Sequence, residues 1–301
     1  MIYHITAKDE MEKEKASKLS VVSNSLLSAL KIAIGLLTGS VAVLSDGIHS
    51  FTDVAASVST ALSVRTASRP ADYVHRFGHG KFENVSGVFE SVLLLVTGAI
   101  ILAESLQRFT TGDRITDVGV AVITMVVSAA ADFAISVPVR GAAKRADSAA
   151  LRVDYVHLAT DGVSSLGVIV ALLLVYVTGS TLFDIGVALI IAGIMFISGI
   201  RLMLESGGPL VDRKISDEDE DIIRKVINEH SGICGYHSLR TRKSGNVCFV
   251  DFHLTFRPDV TLYEAHRVTD EIEEELRKYL PNCSTLVHLE PEGAGCTDAH
   301  V

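Results

Sequence analysis

Two segments of the sequence place a histidine four residues before an aspartate. His49 and Asp53 form the first pair, and His157 and Asp161 form the second. On an α-helix, residues four apart lie one above the other on a single face. Two imidazoles and two carboxylates from two helices make a tetrahedral set of nitrogen and oxygen donors, which suits Zn²⁺. Either pair alone is also consistent with an internal hydrogen bond or a proton relay, but the repeated spacing favours a metal site.

Both pairs lie in apolar stretches that are long enough to cross a bilayer, and four further stretches share this property. Each has about the 20 residues that a helix needs to span the hydrocarbon core. The sequence therefore predicts a membrane bundle of six helices. Ionisable side chains at that depth are costly and need a partner, which supports a cation site. The predicted spans are residues 19–37, 41–64, 85–107, 116–139, 153–177 and 183–204.

The distribution of Lys and Arg predicts the orientation of the bundle. Twelve of these residues flank the N-terminus, the second loop and the fourth loop, whereas the opposite side has only Arg108 and Arg114. Positive residues collect on the cytoplasmic side of membrane proteins. We therefore expect both termini to face the cytoplasm.

Charge divides the chain into two parts. The whole sequence has 27 Lys and Arg, 36 Asp and Glu, a net charge of −9 and 48% hydrophobic residues. From Pro209 onward, 18 acidic residues accompany 11 basic ones, so the last third is soluble and acidic. This argues against nucleic acid as a partner and favours cations. The predicted parts are a transmembrane domain (1–208), a cytoplasmic metal-binding dimerisation domain (209–292) and a flexible tail (293–301).

The soluble part has local signals for helices and strands. Ser216 is followed by acidic residues, as at the start of a helix that runs to about His230. Two strands near 236–242 and 247–256 flank a turn, and Thr261 with Glu264 predicts a capping box. With a last strand at 284–289, the order is helix, strand, strand, helix, strand. This predicts a small α+β domain whose size makes dimerisation plausible.

Two further groups of residues are candidate metal ligands. Asp72, His75 and His79 lie close together in the loop after the second span and offer three donors, although histidines in a short basic loop are often only solvated. The soluble part holds six of the 11 histidines. This content favours metal sensing about as much as it favours ordinary surface residues.

Several segments together resemble the cation diffusion facilitator family, in particular its bacterial zinc- and iron-exporting branch. The resemblance covers nearly the whole chain. It implies a dimeric, proton-coupled exporter with six helices and a ferredoxin-like cytoplasmic domain. The segments that carry it are the two His-x-x-x-Asp pairs, Arg76–Glu83, Leu210–Arg213, His237–Arg242 and Val287–Pro291.

The resemblance also assigns roles to individual positions. It implies a transport site at His49, Asp53, His157 and Asp161, and a loop site at Asp72, His75 and His79. It implies a salt bridge between protomers formed by Lys81 and Asp212. Two departures concern His49, where relatives have Asp, Asn or Tyr, and Glu290, where bacterial relatives have Asp. A two-ion cluster at the cytoplasmic dimer interface would comprise His237, His253, His266, His288 and Glu290.

The predicted function is export of Zn²⁺ from the cytoplasm in exchange for protons, by alternating access across a bacterial cytoplasmic membrane. Zn²⁺ would be both transported and regulatory, with no organic cofactor. The alternatives are the same mechanism with Fe²⁺, Mn²⁺, Co²⁺ or Cd²⁺ and, more distantly, a proton-coupled multidrug exporter. The chain has neither a His-Glu-x-x-His string nor a phosphate-binding loop, so we predict no metalloprotease and no nucleotide-driven pump.

Three further acidic residues lie in predicted spans. Asp46 and Asp154 each precede a histidine by three residues and are interpreted as helix-start or vestibule residues rather than ligands. Asp132 is either a proton-path residue or a residue paired within the bundle, and the second interpretation is favoured.

Overall fold

Six long helices come first and a small mixed domain follows. The computed structural model describes residues 7–38, 41–111, 118–178 and 182–293. Each helix is longer than its predicted span or displaced from it, because polar turns continue several helices beyond their apolar stretch. The helices are α1 (Ala7–Thr38), α2 (Val41–Ala67), α3 (Lys81–Thr111), α4 (Val118–Arg145), α5 (Ala149–Thr178) and α6 (Leu182–Gly207).

Three segments among the described residues are long and apolar enough to cross a membrane by length and composition. They are Lys81–Ala103, Val122–Arg145 and Ile185–Val211, which lie in α3, in α4, and in α6 with the four residues after it. The two helices that carry the His-x-x-x-Asp pairs, α2 and α5, are not among these three segments. A count of six spans therefore stays a prediction.

The bundle exposes apolar side chains and buries polar ones. Leu26, Ile123 and Ile197 are more than half exposed on its outer surface. Ser20 and Thr60, by contrast, are fully buried between helices. A protein in water reverses this pattern, because its apolar residues collect inside. Hydroxyl groups between helices and apolar residues outside are typical of a bundle that lipid surrounds.

The helices pack most extensively in three pairs, which are α1 with α2, α3 with α6 and α4 with α5. Helix α5 additionally contacts α1, α2, α3 and α6. It therefore lies at the centre of the bundle, where side chains from several helices can meet its own. The connection from α4 to α5 is a tight turn in which Asp147 has a positive φ of 45°.

The C-terminal domain contains the predicted elements in the predicted order. A short 3-10 helix (Gly208–Val211) precedes α7 (Asp217–Glu229), β1 (Gly235–Ser244), β2 (Val247–Phe256), α8 (Leu262–Tyr279) and β3 (Cys283–Pro291). Ser216 caps α7, and the capping box of Thr261 and Glu264 is present on α8. Strand β2 lies between the other two, antiparallel to β1 and parallel to β3. The parallel pair is possible because α8 carries the chain back across the sheet.

Alternate residues of β2 face opposite sides of the sheet. Val250, Phe252 and Leu254 are buried in the domain core with residues of α7 and α8. Between them, Asp251 is exposed and His253 is half-buried, so they belong to the opposite face. The helices thus cover one face of the sheet, and His253 lies on the other.

The loop between α2 and α3 contacts the turn between β1 and β2. Gly80 approaches the backbone of Ser244 and Gly245 so closely that a Cβ atom on Gly80 would overlap it. Nearby, the ring of Phe77 packs edge-on against Phe249 at 5.4 Å, and the guanidinium of Arg242 lies 4.8 Å from the centre of the Phe77 ring. The loop with the candidate metal ligands therefore rests on the sheet.

A second contact joins the domain to the turn between α4 and α5. The ammonium of Lys243 donates a 2.6 Å hydrogen bond to Asp147 Oδ2. The guanidinium of Arg152 binds the other oxygen of the same carboxylate at 3.1 Å. Of the predicted flexible tail (293–301), residues 294–301 lie outside the described residues.

Candidate metal sites

The imidazole of His157 on α5 lies beside a carboxylate of α2 and a carboxylate of α5. Its Nε2 atom lies 3.2 Å from Asp53 Oδ1 of α2 and 3.2 Å from Asp161 Oδ2 of α5. One donor atom from each of the three residues lies within 4.8 Å of the others. Because the nitrogen and both oxygens face a common point, the three side chains can bind one divalent cation. We call this group the transport trio.

The fourth predicted ligand, His49, belongs to α2 and stands one turn before Asp53. Its side chain lies outside the part of the chain whose side chains the structure describes. Its place in the site therefore stays a prediction.

Hydrogen bonds fix the backbone of the helix beside Asp53. The side-chain amide of Asn24 on α1 donates to Ser57 Oγ at 3.2 Å and to the backbone oxygen of Asp53 at 3.4 Å. One turn nearer the start of α2, the buried ammonium of Lys31 donates to Ser50 Oγ at 2.9 Å. Helix α1 thereby positions the part of α2 that bears the candidate metal-binding carboxylate of Asp53.

The loop before α3 brings Asp72, His75 and His79 together, as the sequence predicts. Asp72 Oδ1 lies 3.5 Å from His75 Nδ1, and Asp72 Oδ2 lies 3.4 Å from His79 Nε2. The two imidazole rings are 4.4 Å apart between centres. Two nitrogens and one carboxylate can hold a divalent cation with further positions left for water. We call these residues the loop site.

The carboxylate of Asp72 is held in its ionised form by the loop itself. The backbone N–H groups of His75 and Val74 donate to Oδ1 at 2.6 and 2.9 Å. The hydrogen bond from His75 is the main reason why the pKa of Asp72 lies below its usual value. Asp72 is therefore available as a metal ligand over the whole physiological pH range.

Three histidines lie side by side on the open face of the sheet. The strand register pairs His237 with His253 across β1 and β2, and His253 with His288 across β2 and β3. The ring centres of neighbouring imidazoles are 4.9 and 4.8 Å apart. Register across adjacent strands thus collects residues that are distant in sequence.

Glu290 completes this row, which we call the sheet cluster together with the three histidines. Its two oxygens lie 3.1 Å from His237 Nε2 and 2.9 Å from His253 Nδ1, and His288 Nε2 is at 3.4 Å. Burial acts to raise the pKa of Glu290, but the hydrogen bonds with His237 and His253 outweigh it and the pKa is lowered. The cluster offers one carboxylate and three imidazoles to a divalent cation.

Within a single chain, His266 and the pair of Lys81 and Asp212 do not have the partners that the resemblance implies. His266 lies on α8 with its side chain 70% exposed, where it contacts Asp270 at 3.2 Å rather than the sheet cluster. Lys81 and Asp212 form a 2.8 Å ion pair within the chain, whereas the resemblance implied a pair between protomers. The reason is that Lys81 begins α3 and Asp212 follows α6, and these two helices are packed together. A role for either group between two protomers stays a prediction.

One buried carboxylate of the bundle, Glu90, was not singled out from the sequence. Glu90 of α3 is fully buried, and the signal that could have identified it is a charged residue inside an apolar span. Asp154 is the sixth residue of α5 and is only 3% exposed, and its interpretation as a helix-start or vestibule residue stays a prediction. Asp132 of α4 is also buried, and its charge acts on Asp161.

Comparison with known proteins follows the same division of the chain. The family model described as the cation efflux transmembrane domain matches residues 17–211, and the one described as the cation efflux protein, cytoplasmic domain, matches residues 215–292. Cation-efflux pumps FieF of Escherichia coli and Shigella flexneri are 29% identical over 280 residues, which cover 92% of each sequence. A solved structure of CzrB, named there as a zinc transporter, is 36% identical over 26% of this chain and 99% of its own, with a TM-score of 0.26.

Proposed function

Because the chain belongs to the cation diffusion facilitator family, we propose that it exports Zn²⁺ from the cytoplasm in exchange for protons. The family consists of membrane transporters for cations and not of enzymes. The proposal concerns the choice of metal, the coupling to protons and the direction of transport. We also propose that the chain consists of a transmembrane domain (1–208) and a cytoplasmic domain (209–292).

The observation that carries the proposal is the position of His157 between two carboxylates from two helices. Its Nε2 atom is 3.2 Å from an oxygen of Asp53 and 3.2 Å from an oxygen of Asp161. With His49 as a fourth ligand, the site would offer two nitrogens and two oxygens, a set that suits tetrahedral Zn²⁺.

Coupling to protons follows from the chemistry of these ligands. Zn²⁺ binds neutral imidazole and ionised carboxylate, so an arriving ion displaces protons from the site. Histidine exchanges protons near neutral pH, which makes the exchange reversible under physiological conditions. Once the site opens outward, protons from that side displace the ion. No further energy source is required.

We propose that the protein lies in the bacterial cytoplasmic membrane as a homodimer, with both termini in the cytoplasm. Two copies of the acidic domain repel each other across a two-fold axis. Divalent cations at the sheet cluster would offset that repulsion and favour a closed dimer, which makes Zn²⁺ a regulator as well as the cargo.

The test is zinc-driven proton release by the full-length protein in proteoliposomes. We expect Asp53→Ala or Asp161→Ala to reduce the exchange rate by about 100-fold, because each removes a direct ligand. The matched control is Asp221→Ala, which removes an exposed carboxylate of α7. Size-exclusion chromatography should show a folded dimer for all variants.

Exchange at the wild-type rate in either site variant would refute the assignment of the transport trio. The same vesicles distinguish the proposed cargo from the other metals. Preferential transport of Fe²⁺, Mn²⁺, Co²⁺ or Cd²⁺ over Zn²⁺ would show that this metal, and not zinc, is the physiological substrate. The site assignment would remain intact.

A further inference from the structure

Two buried carboxylates lie between the transport trio and the C-terminal domain. Glu90 of α3 is fully buried and Asp154 of α5 is 3% exposed. Asp154 precedes His157 by three residues, which places it about 4.5 Å nearer the domain along the helix axis. The charges of Glu90, Asp154 and His157 act on one another. We call Glu90 and Asp154 the inner pair.

In the described part of the chain, each carboxylate of the inner pair accepts hydrogen bonds on one oxygen and leaves the other oxygen without a partner. The hydroxyls of Thr60 and Ser86 donate to Glu90 Oε1, and Ser20 donates to Asp154 Oδ1 at 3.0 Å. Glu90 Oε2 and Asp154 Oδ2 are buried and have no hydrogen-bond partner among the described residues. This arrangement leaves room for a proton on one oxygen of each group.

Within the part of the chain that the structure describes, neither carboxylate forms an ion pair with Lys, Arg or His. Their titratable neighbours are each other and His157, while α1, α2 and α3 present hydroxyl groups. A buried carboxylate without a cationic partner is costly to keep ionised, so such a group takes up a proton. A neutral carboxyl group still accepts hydrogen bonds on one oxygen while it carries the proton on the other.

A cation bound at the nearby metal site would change the protonation of the inner pair. A divalent ion bound at His157 Nε2 places two positive charges next to the inner pair, and this field favours the ionised carboxylate. His157 Nδ1 is buried and has no hydrogen-bond partner among the residues that the structure describes, so it adds no competing donor interaction. Binding and release of the ion would therefore alternate the pair between an ionised and a protonated form.

We propose that the inner pair stores one exchangeable proton of the transport cycle. When the cation binds from the cytoplasm, the pair loses its O–H proton towards the domain end of the bundle and becomes a carboxylate. When the cation leaves outward, a proton that enters through the vacated site restores the O–H bond. The inference rests on the proposed antiport and adds a proton to those displaced from the ligands themselves.

The experiment counts protons released per zinc ion bound by the full-length protein, by calorimetry in buffers of different ionisation enthalpy. We expect Glu90→Gln and Asp154→Asn each to lower the count, and the double variant to lower it by about one proton per ion. Zinc affinity should change by less than about tenfold, because neither residue is a ligand of the transport trio. The control is Glu205→Gln, an exposed carboxylate on α6 that should leave the count unchanged.

A second measurement uses the wild-type protein and does not depend on variants that fold. The infrared difference spectrum on zinc addition should show the loss of a carbonyl stretch from a protonated carboxyl group, and Glu90→Gln or Asp154→Asn should diminish that band. An unchanged proton count in the double variant, or no loss of the band in the wild type, would overturn the inference. If the wild type transports zinc without any proton exchange, the proposed antiport itself fails, which is a separate result.

Discussion

At the scale of single residues, the proposed cation site depends on the nitrogen of His157 between two carboxylates. Asp53 and Asp161 approach it from different helices at the same distance, 3.2 Å. The choice among cations depends on the remaining ligand, because donor type distinguishes divalent metals more than affinity order does. His49 is the predicted ligand that decides this choice.

We expect His49→Asp to shift the preference from Zn²⁺ towards Mn²⁺ by about tenfold, because an oxygen replaces a nitrogen donor. The measurement is the ratio of the two dissociation constants for the purified protein. His49→Ala is the control, since it should weaken both metals together. An unchanged ratio in His49→Asp would show that His49 is not a ligand.

The residues of the transport trio were predictable because a spacing of four on a helix fixes which side chains share a face. The sheet cluster was foreseen only through the family resemblance, since β-strand register is a property of the folded sheet. Glu90 was not predicted from the sequence because no repeated spacing marks it. Its significance depends on Asp154, which is 64 positions away in the chain.

At the scale of elements, the turn between β1 and β2 and the loop before α3 depend on two glycines. Gly245 has a positive φ of 61°, and Gly80 lies against the backbone of that turn. The sequence predicted the turn itself, because Ser244–Asn246 separates two strand-like runs. It could not predict that this turn touches the loop before α3, because the two segments are far apart in sequence.

We expect Gly80→Ala to separate the loop from the turn, because the added methyl group would overlap the backbone of Ser244. Overpacking of this kind costs about 1–3 kcal/mol. The measurement is thermal unfolding of the full-length protein, with metal affinity of the loop site as a second readout. Gly119→Ala is the control, since no atom of the described residues lies within 4 Å of its Cβ position. Equal stability of the two variants would contradict the contact.

At the scale of the whole molecule, two ion pairs join the C-terminal domain to the bundle. Lys81 pairs with Asp212 at 2.8 Å, and Lys243 pairs with Asp147 at 2.6 Å. They lie beside different helices, so the domain is attached at separate points. The order of elements and the division of charge predicted a membrane bundle with a soluble domain. The attachment of one to the other is a tertiary feature that no local pattern encodes.

We expect divalent metal to draw two copies of the C-terminal domain together by binding at the sheet cluster. Glu290→Gln should weaken this response by about 10–100-fold in metal concentration, because it removes the carboxylate shared by three imidazoles. Spin labels on the two domains of the full-length dimer measure their separation during a zinc titration. Asp259→Asn, an exposed carboxylate of the same domain, is the control.

An unchanged separation at saturating zinc would show that the cluster has a structural role only. The behaviour of His266→Ala adds a further distinction. Because His266 lies apart from the cluster within one chain, a loss of metal affinity in that variant would mean that a second protomer brings it into the site.

The Asp147 carboxylate links the domain to the helix that bears His157 and Asp161. It accepts hydrogen bonds from Lys243 of the sheet and from Arg152 in the first turn of α5. The short turn in which it lies connects α4 to α5 as a helical hairpin. We therefore expect a tilt of that hairpin to move the end of β1. A fluorophore pair placed across this linkage would follow each turnover from the water-soluble side of the protein.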